Sequence, residues 1–190
     1  MTFCEKCGLH KKLTIFCLWV LCAVGLALGL NLLYGALGIT EMSAAYTEVK
    51  ERQYAVSLQR GLVLYGIIYP FMEEFIFRFL FFHIWRPLMG VLRSGTPQSK
   101  KLRSDTSRLE LLRSRASQTE SLRLGTQQAK ASAFAVLGIL LSGLLFGLFH
   151  GNIVQGSYAF FMGTFFAAAY LSCGSLLLPV CMHAAANIAI

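Results

Sequence analysis

Six polar residues stand inside otherwise apolar sequence and could do chemistry together. They form three groups, which are Glu73-Glu74…Arg78, His150, and His183…Asn187. Carboxylates and imidazoles can move protons, and an amide can donate a hydrogen bond to a developing oxyanion. An ionisable side chain inside a membrane-spanning segment costs several kcal/mol, so it usually marks a functional site facing a protein interior or a water pocket. The pattern therefore indicates an active site assembled within a bilayer.

The spacing of the acidic group suggests different roles for its two carboxylates. On a helix, Glu74 and Arg78 lie one turn apart on the same face and can neutralise each other. Glu73 is turned about 100° away and has no such partner in its own segment. Glu73 is thus free to face a pocket as a general base. We interpret Glu74 and Arg78 first as a buried ion pair that supports packing, with a catalytic role as the alternative.

The two other groups also follow helical spacing. His183 and Asn187 are four residues apart and share one face, as do Phe146 and His150. A single histidine in a membrane helix is often only an interhelical hydrogen bonder, and this is our interpretation of His83. The same explanation for Glu73, His150, His183 and Asn187 together would need four separate coincidences. We therefore expect these four side chains to line one cavity.

The segments that must position these residues are long and apolar. Hydrophobic residues make up 56% of the 190-residue chain, and the mean hydropathy is +0.60. A helix needs roughly 20 apolar residues to cross a membrane. The sequence predicts an all-α, multi-pass membrane bundle of about five spans, at about 13–39, 61–85, 131–150, 157–171 and 176–190. Pro70 removes one helical hydrogen bond and predicts a kink in the second span.

The distribution of basic residues predicts the domain organisation and the orientation. Residues 1–60 are expected to form an N-terminal anchor span and an extracytoplasmic amphipathic segment, and 61–190 a membrane core, which the resemblance described below implies to be protease-like. Within that core, 91–130 is a basic loop with a Leu-Arg motif recurring every ten residues from Leu92. The positive-inside rule places this loop and the N-terminus in the cytoplasm of a cell-membrane protein. The net charge of +8 is thereby explained without nucleic-acid binding, because the basic residues lack interleaved aromatics.

At this point the motifs resemble a known family. Glu73 to Arg78 fits E-E-x-x-x-R, Phe146 to His150 fits F-x-x-x-H, and His183 to Asn187 fits H-x-x-x-N. Their order and membrane setting are similar to the CAAX protease and bacteriocin-processing family of intramembrane proteases. The resemblance covers roughly residues 60–190.

The resemblance implies an intramembrane endopeptidase acting on a membrane-associated substrate, either a CAAX-like protein or a bacteriocin peptide. Glu73 would activate the water, while His150, His183 and Asn187 would position it and stabilise the oxyanion, with Glu74 and Arg78 in support. The family is often labelled metalloprotease, and His150 and His183 with a carboxylate could hold Zn²⁺. A metal-free glutamate mechanism stays open, since H-E-x-x-H is missing from the sequence.

Two non-enzymatic alternatives are compatible with these residues. The main one is a membrane immunity or scaffold protein of the same fold. The other is a small proton-coupled transporter that uses the glutamates and histidines as a relay. Transporters of that kind usually show internal repeats of spans, and the sequence contains none. The oligomeric state is not encoded in any pattern that we recognise.

Overall fold

A computed structural model describes residues 9–41, 43–93, 129 and 131–190, and these residues fold into helices without strands. The helices are α1 (Leu9–Ala36), α2 (Ala44–Tyr54), α3 (58–93), α4 (Ala131–Phe149), α5 (Ile153–Cys173) and α6 (Leu177–Ala189). The predicted all-α class is confirmed. The basic loop with its ten-residue repeats lies almost entirely outside the described residues.

Helix α5 begins earlier than the sequence predicts, at Ile153 instead of 157. The side chain of Asn152 caps it by accepting a hydrogen bond from the backbone N–H of Gln155 at 2.8 Å. Just before this cap, Gly151 adopts φ +70°, a conformation that glycine tolerates best. The chain therefore reverses in a few residues after α4, and His150 is held at this reversal.

Glycines allow α4 and α5 to pack with their backbones nearly touching. Gly143 and Gly147 form a G-x-x-x-G pair on α4. A Cβ on Gly147 would lie 2.6 Å from the carbonyl oxygen of Gly156 on α5, and a Cβ on Gly143 would collide with Thr164. Small residues of this kind are typical of contacts between membrane helices. Gly156 thus lies inside α5, where it allows close contact with α4 and does not end the helix.

Helix α3 contains two π-helical segments, Leu64–Ile68 and Phe75–Leu80, on either side of the turn that carries Glu73 and Glu74. Pro70 lies in this turn and is buried. A π-helical turn inserts an extra residue and redirects the side chains that follow, and such turns are frequent at functional sites. Pro70 thus lies where the hydrogen bonding of the helix changes, and the kink stays a prediction.

The apolar core that supports the site is formed by α1, α5 and α6. Its buried members are Ala23, Ala27, Met162, Phe166, Ala169, Leu178, Met182 and Ala186. Residues 9–41, 43–82 and 139–190 belong to one compact unit, which contains this core. The described part of 83–138 forms a second unit, in which Trp85 packs against Phe134 with ring centroids 6.1 Å apart.

The surface of the helices is apolar as well. Leu9–Ala36 and Ala131–Phe149 are long and apolar enough to cross a membrane by length and composition. Leu21 and Leu32 of α1 remain mostly exposed, and so do Leu148 and Phe149 near the end of α4. Contiguous exposed apolar surface of this extent marks a membrane or protein interaction surface.

Candidate active site

A buried ion pair lies at the base of the site. The side chains of Glu74 and Arg78 are both 0% exposed. Arg78 Nη2 donates to Glu74 Oε1 at 3.2 Å, and Arg78 Nε lies 2.8 Å from Glu74 Oε2. The N–H of Nε does not point directly at that oxygen, so the second contact is electrostatic. The spacing of four residues thus forms the predicted pair.

Ser142 of α4 extends this ion pair to a second helix. Its Oγ accepts a hydrogen bond from Arg78 Nη1 at 3.2 Å and donates one to the carbonyl oxygen of Phe77 at 2.7 Å. The guanidinium carbon of Arg78 also lies 4.9 Å from the ring centroid of Phe146 and 5.9 Å from that of Phe166. These distances are within the range of cation–π interaction. We call Glu74, Arg78 and Ser142 the closed cluster.

His183 connects the closed cluster to the first glutamate. Its Nδ1 lies 3.0 Å from Glu74 Oε1, and its Nε2 lies 3.6 Å from Glu73 Oε2. A carboxylate only accepts hydrogen bonds, so the proton between His183 and an ionised Glu74 sits on Nδ1. The ring stacks on Phe166 with centroids 5.2 Å apart. Glu74 therefore fixes the orientation and tautomer of His183, a role beyond the structural one that its spacing indicates.

Glu73 points away from the closed cluster, as the rotation of one residue along the helix predicts. Its side chain is 19% exposed, against 0% for Glu74. The separation of 3.6 Å between its carboxylate and His183 Nε2 exceeds a direct hydrogen bond. A water that lies beside the pair, on the side of the cavity, can be within hydrogen-bond distance of both groups. The two side chains can thus hold one water at the wall of the cavity.

His150 is held by the end of its own helix. Its Nδ1 lies 2.9 Å from the carbonyl oxygen of Phe146, one turn earlier. Because a carbonyl only accepts, Nδ1 carries the proton, and Nε2 of the neutral ring is left as an acceptor. The ring also contacts Phe146 edge-on, with centroids 4.9 Å apart. Phe146 thus contacts this imidazole twice, through its backbone carbonyl and through its ring.

Asn187 is tied to a backbone carbonyl of α3. Its Nδ2 donates to the carbonyl oxygen of Tyr65 at 2.9 Å. In the π-helical turn, the N–H of Tyr69 bonds to the carbonyl of Leu64, five residues earlier. By the same pattern, the carbonyl of Tyr65 would accept from the N–H of residue 70. That residue is Pro70, which has no N–H. Asn187 therefore satisfies a carbonyl that the proline leaves without a helical donor, and it keeps a second N–H.

The four expected residues meet along one cavity of about 630 Å³, whose walls include Glu73, His150, His183 and Asn187. A smaller cavity of about 140 Å³ adjoins it and shares the last three of these residues. Tyr46 and Gln53 of α2 line both cavities. We call Glu73, His150 and Asn187 the open cluster, because their side chains face this space while the closed cluster does not.

The arrangement does not fit the Zn²⁺ site that the resemblance implies. Among the residues that the structure describes, no three His, Cys, Asp or Glu side chains are grouped so that they could hold a metal ion. Catalytic zinc takes three protein ligands and keeps one open position. The misfit lies in this grouping and not in the histidines, because Nδ1 of His183 is engaged by Glu74 and Nδ1 of His150 by a backbone carbonyl, which leaves Nε2 of each ring able to bind a metal. We derive no chemical step through a metal, and zinc stays a prediction of the resemblance.

Sequence reasoning missed three contacts of the site. Ser142 and Phe166 gave no signal, because a serine beside a G-x-x-x-G pair and a phenylalanine in an apolar helix are expected as packing residues. The carbonyl of Tyr65 was missed because an α-helical pattern leaves the carbonyl of Gly66, four residues before Pro70, without a donor. The π-helical turn transfers that place to Tyr65, five residues before the proline. Local sequence also does not identify Asn187 as the donor.

Comparison with known proteins identifies the family. The family model described as type II CAAX prenyl endopeptidase Rce1-like matches residues 56–189, more than half of the chain and all three motifs. No curated protein and no solved structure matches this chain. The match supports the CAAX protease side of the resemblance and gives no support to bacteriocin immunity. The chain therefore belongs to the Rce1-like type II CAAX prenyl endopeptidases, a family of membrane-integral proteases.

Proposed function

We propose that this protein is an intramembrane endopeptidase that hydrolyses a peptide bond of a membrane-associated CAAX-type substrate with a water activated by Glu73. One observation carries the proposal. The carboxylate of Glu73 and Nε2 of His183 lie 3.6 Å apart at the wall of a cavity that also contains His150 and Asn187. A general base must come within about 3 Å of the proton-bearing atom that it serves. A water in the cavity beside these two groups, within hydrogen-bond distance of both, would meet that condition.

The chemistry follows from the donors and acceptors on each side chain. Glu73 accepts one proton from the water as the water oxygen forms a bond to the substrate carbonyl carbon. The carbonyl oxygen becomes an oxyanion, and the second N–H of Asn187 can donate to it. When the tetrahedral intermediate collapses, the C–N bond breaks, and the leaving nitrogen takes the proton from Glu73. Each proton and electron pair is accounted for without a further reactant.

The two histidines serve different steps in this proposal. His183 holds the attacking water through Nε2, and Glu74 stabilises any positive charge that its ring acquires. His150 serves the later step, because its Nε2 can donate to the oxyanion when the ring is an imidazolium. This division rests on the partner of Nδ1, which is a carboxylate for His183 and a backbone carbonyl for His150.

The decisive experiment replaces Glu73 with Gln in purified protein reconstituted with a fluorogenic prenylated peptide that ends in a CAAX-type sequence. We expect the rate of cleavage to fall by about 100-fold or more, because general base catalysis contributes roughly 10²–10⁴-fold. Expression and thermal midpoint should stay unchanged, since Gln keeps the size of the side chain. Glu48→Gln is the matched control, because Glu48 is an exposed residue that pairs with Arg52 at the surface.

A non-enzymatic scaffold predicts another outcome of the same experiment. It would show no cleavage by the wild-type protein, and Glu73→Gln would keep full function in a cellular complementation assay. Wild-type cleavage that Glu73→Gln does not reduce would show that the protein is a protease with a different base.

We also propose a multi-pass topology with a cytoplasmic N-terminus, based on the positive-inside rule and the basic residues in 86–130. Helix α2 would then lie on the extracytoplasmic side, and the cavity that Tyr46 and Gln53 line would be reached from that side. A cysteine introduced at Ser104 should be protected from impermeant thiol reagents in intact cells and should react after lysis. Labelling before lysis would reverse the orientation.

A further inference from the structure

Polar side chains form much of the wall of the smaller cavity. They come from α1, from the turn before α2, from α2 itself and from α5, and they are Asn31, Thr40, Tyr46, Gln53, Gln155 and Tyr158. His150, His183 and Asn187 line the same cavity and add further donors and acceptors. A cavity that is lined only by apolar side chains stays dry or binds an apolar molecule. This wall instead favours an occupant that can donate and accept hydrogen bonds.

One buried hydroxyl of this wall lacks a partner. The hydroxyl of Tyr158 is buried and has no hydrogen-bond partner among the residues that the structure describes. The neighbouring Tyr34, whose ring packs edge-on with centroids 6.4 Å apart, donates its own hydroxyl proton to Ser157 Oγ at 2.9 Å. Buried hydroxyls are usually paired with protein groups or with ordered water. Tyr158 therefore indicates a bound polar group in the cavity that it lines.

The size of the smaller cavity suits a small group of water molecules. The cavity measures about 140 Å³. One water takes up roughly 30 Å³ in the liquid, so about four waters fit. A buried water needs several polar partners, and amide and hydroxyl side chains of this wall provide them. In Gln155, for example, Oε1 accepts from Asn152 Nδ2 at 3.0 Å, so the amide nitrogen is the group that remains to donate to a water.

The position of the smaller cavity relates it to the reaction. Hydrolysis consumes one water for each peptide bond, and this water must be replaced inside an apolar bundle. The substrate has to lie against Glu73, which lines the larger cavity and not the smaller one, so a bound peptide displaces water from the larger cavity. His150, His183 and Asn187 line both cavities. Water in the smaller cavity can therefore reach these residues while a peptide fills the larger one.

We propose that the smaller cavity is a water-binding site that stores the nucleophile of the reaction. A small cluster of water molecules, bound by the hydroxyls of Thr40 and Tyr158 and by the amide of Gln155, replaces the water that Glu73 activates in each turnover. The supply role rests on the proposed proteolysis, whereas the presence of bound water does not depend on it.

Two buried methionines allow this water to be detected without an activity assay. Met162 is 2% exposed and Met182 is 0% exposed, and both belong to the core of α1, α5 and α6. Met162 lines the smaller cavity, while Met182 lines neither cavity. A short X-ray pulse converts bound water into hydroxyl radicals, which oxidise an adjacent methionine to its sulfoxide. In purified protein in lipid nanodiscs, Met162 should be oxidised severalfold faster than Met182, as measured by mass spectrometry.

Two substitutions make the wall less polar at nearly constant volume. Thr40 and Tyr158 line the smaller cavity and not the larger one. The double variant Thr40→Val, Tyr158→Phe should slow the oxidation of Met162 and lower kcat for the fluorogenic peptide by roughly two- to tenfold, the factor that one hydrogen bond is worth. KM should stay unchanged, because neither residue lines the larger cavity. Thr47→Val with Tyr170→Phe is the matched control, since these residues lose the same groups outside both cavities.

The outcomes separate the water site from the function on which its role rests. Equally slow oxidation of Met162 and Met182 in the wild type would overturn the water site, whatever the activity. Slower oxidation of Met162 in the double variant with an unchanged kcat would overturn the supply role, and a raised KM at constant kcat would mean that the cavity holds part of the substrate instead. Failure of the wild type to cleave any peptide would overturn the proteolysis and the supply role together, while faster oxidation of Met162 would still support the bound water. If the double variant does not fold, Tyr158→Phe alone decides by the same two measurements.

Discussion

Two neighbouring groups of polar residues in this protein differ in whether they are buried or line a cavity. The closed cluster of Glu74, Arg78 and Ser142 is fully buried, and its members bond to one another or to the backbone. The open cluster of Glu73, His150 and Asn187 faces a cavity. A step of one residue along α3 separates the two glutamates. That rotation of about 100° is enough to give one carboxylate a structural role and to leave the other one free for chemistry.

The comparison teaches how an ionisable site can be built inside an apolar bundle. A buried charge is costly unless it is paired and hydrogen-bonded. This condition is met for Glu74 by the guanidinium of Arg78 and by an imidazole N–H of His183. His183 belongs to neither cluster and connects the two, since one ring nitrogen faces each glutamate. The closed cluster thus positions the imidazole that the open cluster would use.

The largest effect on stability is expected from Arg78→Ala. This change leaves Glu74 buried without its main partner, and removing one member of a buried pair costs roughly 3–5 kcal/mol. We expect a lower yield of folded protein and a lower free energy of unfolding, measured by denaturant titration in detergent. Arg52→Ala is the matched control, because Arg52 makes the same i,i+4 contact with Glu48 at the surface, where a pair is worth about 0–1 kcal/mol.

A double variant sharpens this prediction. Glu74→Met with Arg78→Met removes both charges and the acceptor oxygens of Glu74, and replacing a whole buried pair by apolar residues of similar volume is often close to neutral for stability. Stability should therefore recover in large part. Activity should not recover, because His183 would lack the carboxylate that fixes its tautomer. Recovery of both properties would show that Glu74 does nothing for His183.

The features that could be predicted from the sequence are those that depend on local spacing. Apolar segments predict the helices, and the four-residue spacing of Glu74 and Arg78 predicts their pair. The spacing also predicts that Glu73 faces another direction. The predicted start of α5 at 157 was wrong, because a glycine such as Gly156 occurs both at helix breaks and at close contacts between helices. The spacing thus predicts the direction in which a side chain points from its helix, but not which residues of other helices it contacts.

Contacts between distant segments could not be predicted from one sequence. Ser142 lies 64 residues from Arg78, and His183 lies 109 residues from Glu74. Nothing in local propensity selects one serine from several, or decides which histidine nitrogen meets which carboxylate. The register between packed helices decides these contacts, and it depends here on glycines such as Gly143 and Gly147. Convergence of the motifs is therefore inferred from chemistry, and its geometry only from the structure.

A smaller effect is expected from Ser142→Ala, which tests whether the closed cluster depends on its link to α4. The change leaves Arg78 Nη1 and the carbonyl of Phe77 without this partner. An unsatisfied buried polar group costs roughly 1–3 kcal/mol, and we expect a loss of unfolding free energy in this range. Ser172→Ala is the control, because the hydroxyl of Ser172 bonds only to a carbonyl of its own helix. Equal losses in the two variants would remove the special role of Ser142.

The smallest effect on the free energy of unfolding is expected for Asn187. It tests whether a member of the open cluster also has a structural role. Pro70→Ala restores an N–H five residues after Tyr65, so the carbonyl of Tyr65 regains a possible helical donor. Asn187→Leu should then destabilise the Pro70→Ala protein less than it destabilises the wild type. The coupling from a double-mutant cycle should be about 0.5–1.5 kcal/mol, the usual net value of one hydrogen bond. The cycle cancels the volume lost at Pro70, because that loss is common to both backgrounds. Additive costs would mean that the N–H introduced by Pro70→Ala does not replace Asn187 as the donor to Tyr65. No loss of stability from Asn187→Leu in either background would mean that the bond at 2.9 Å contributes no measurable stability, and Asn187 would then belong to the open cluster alone.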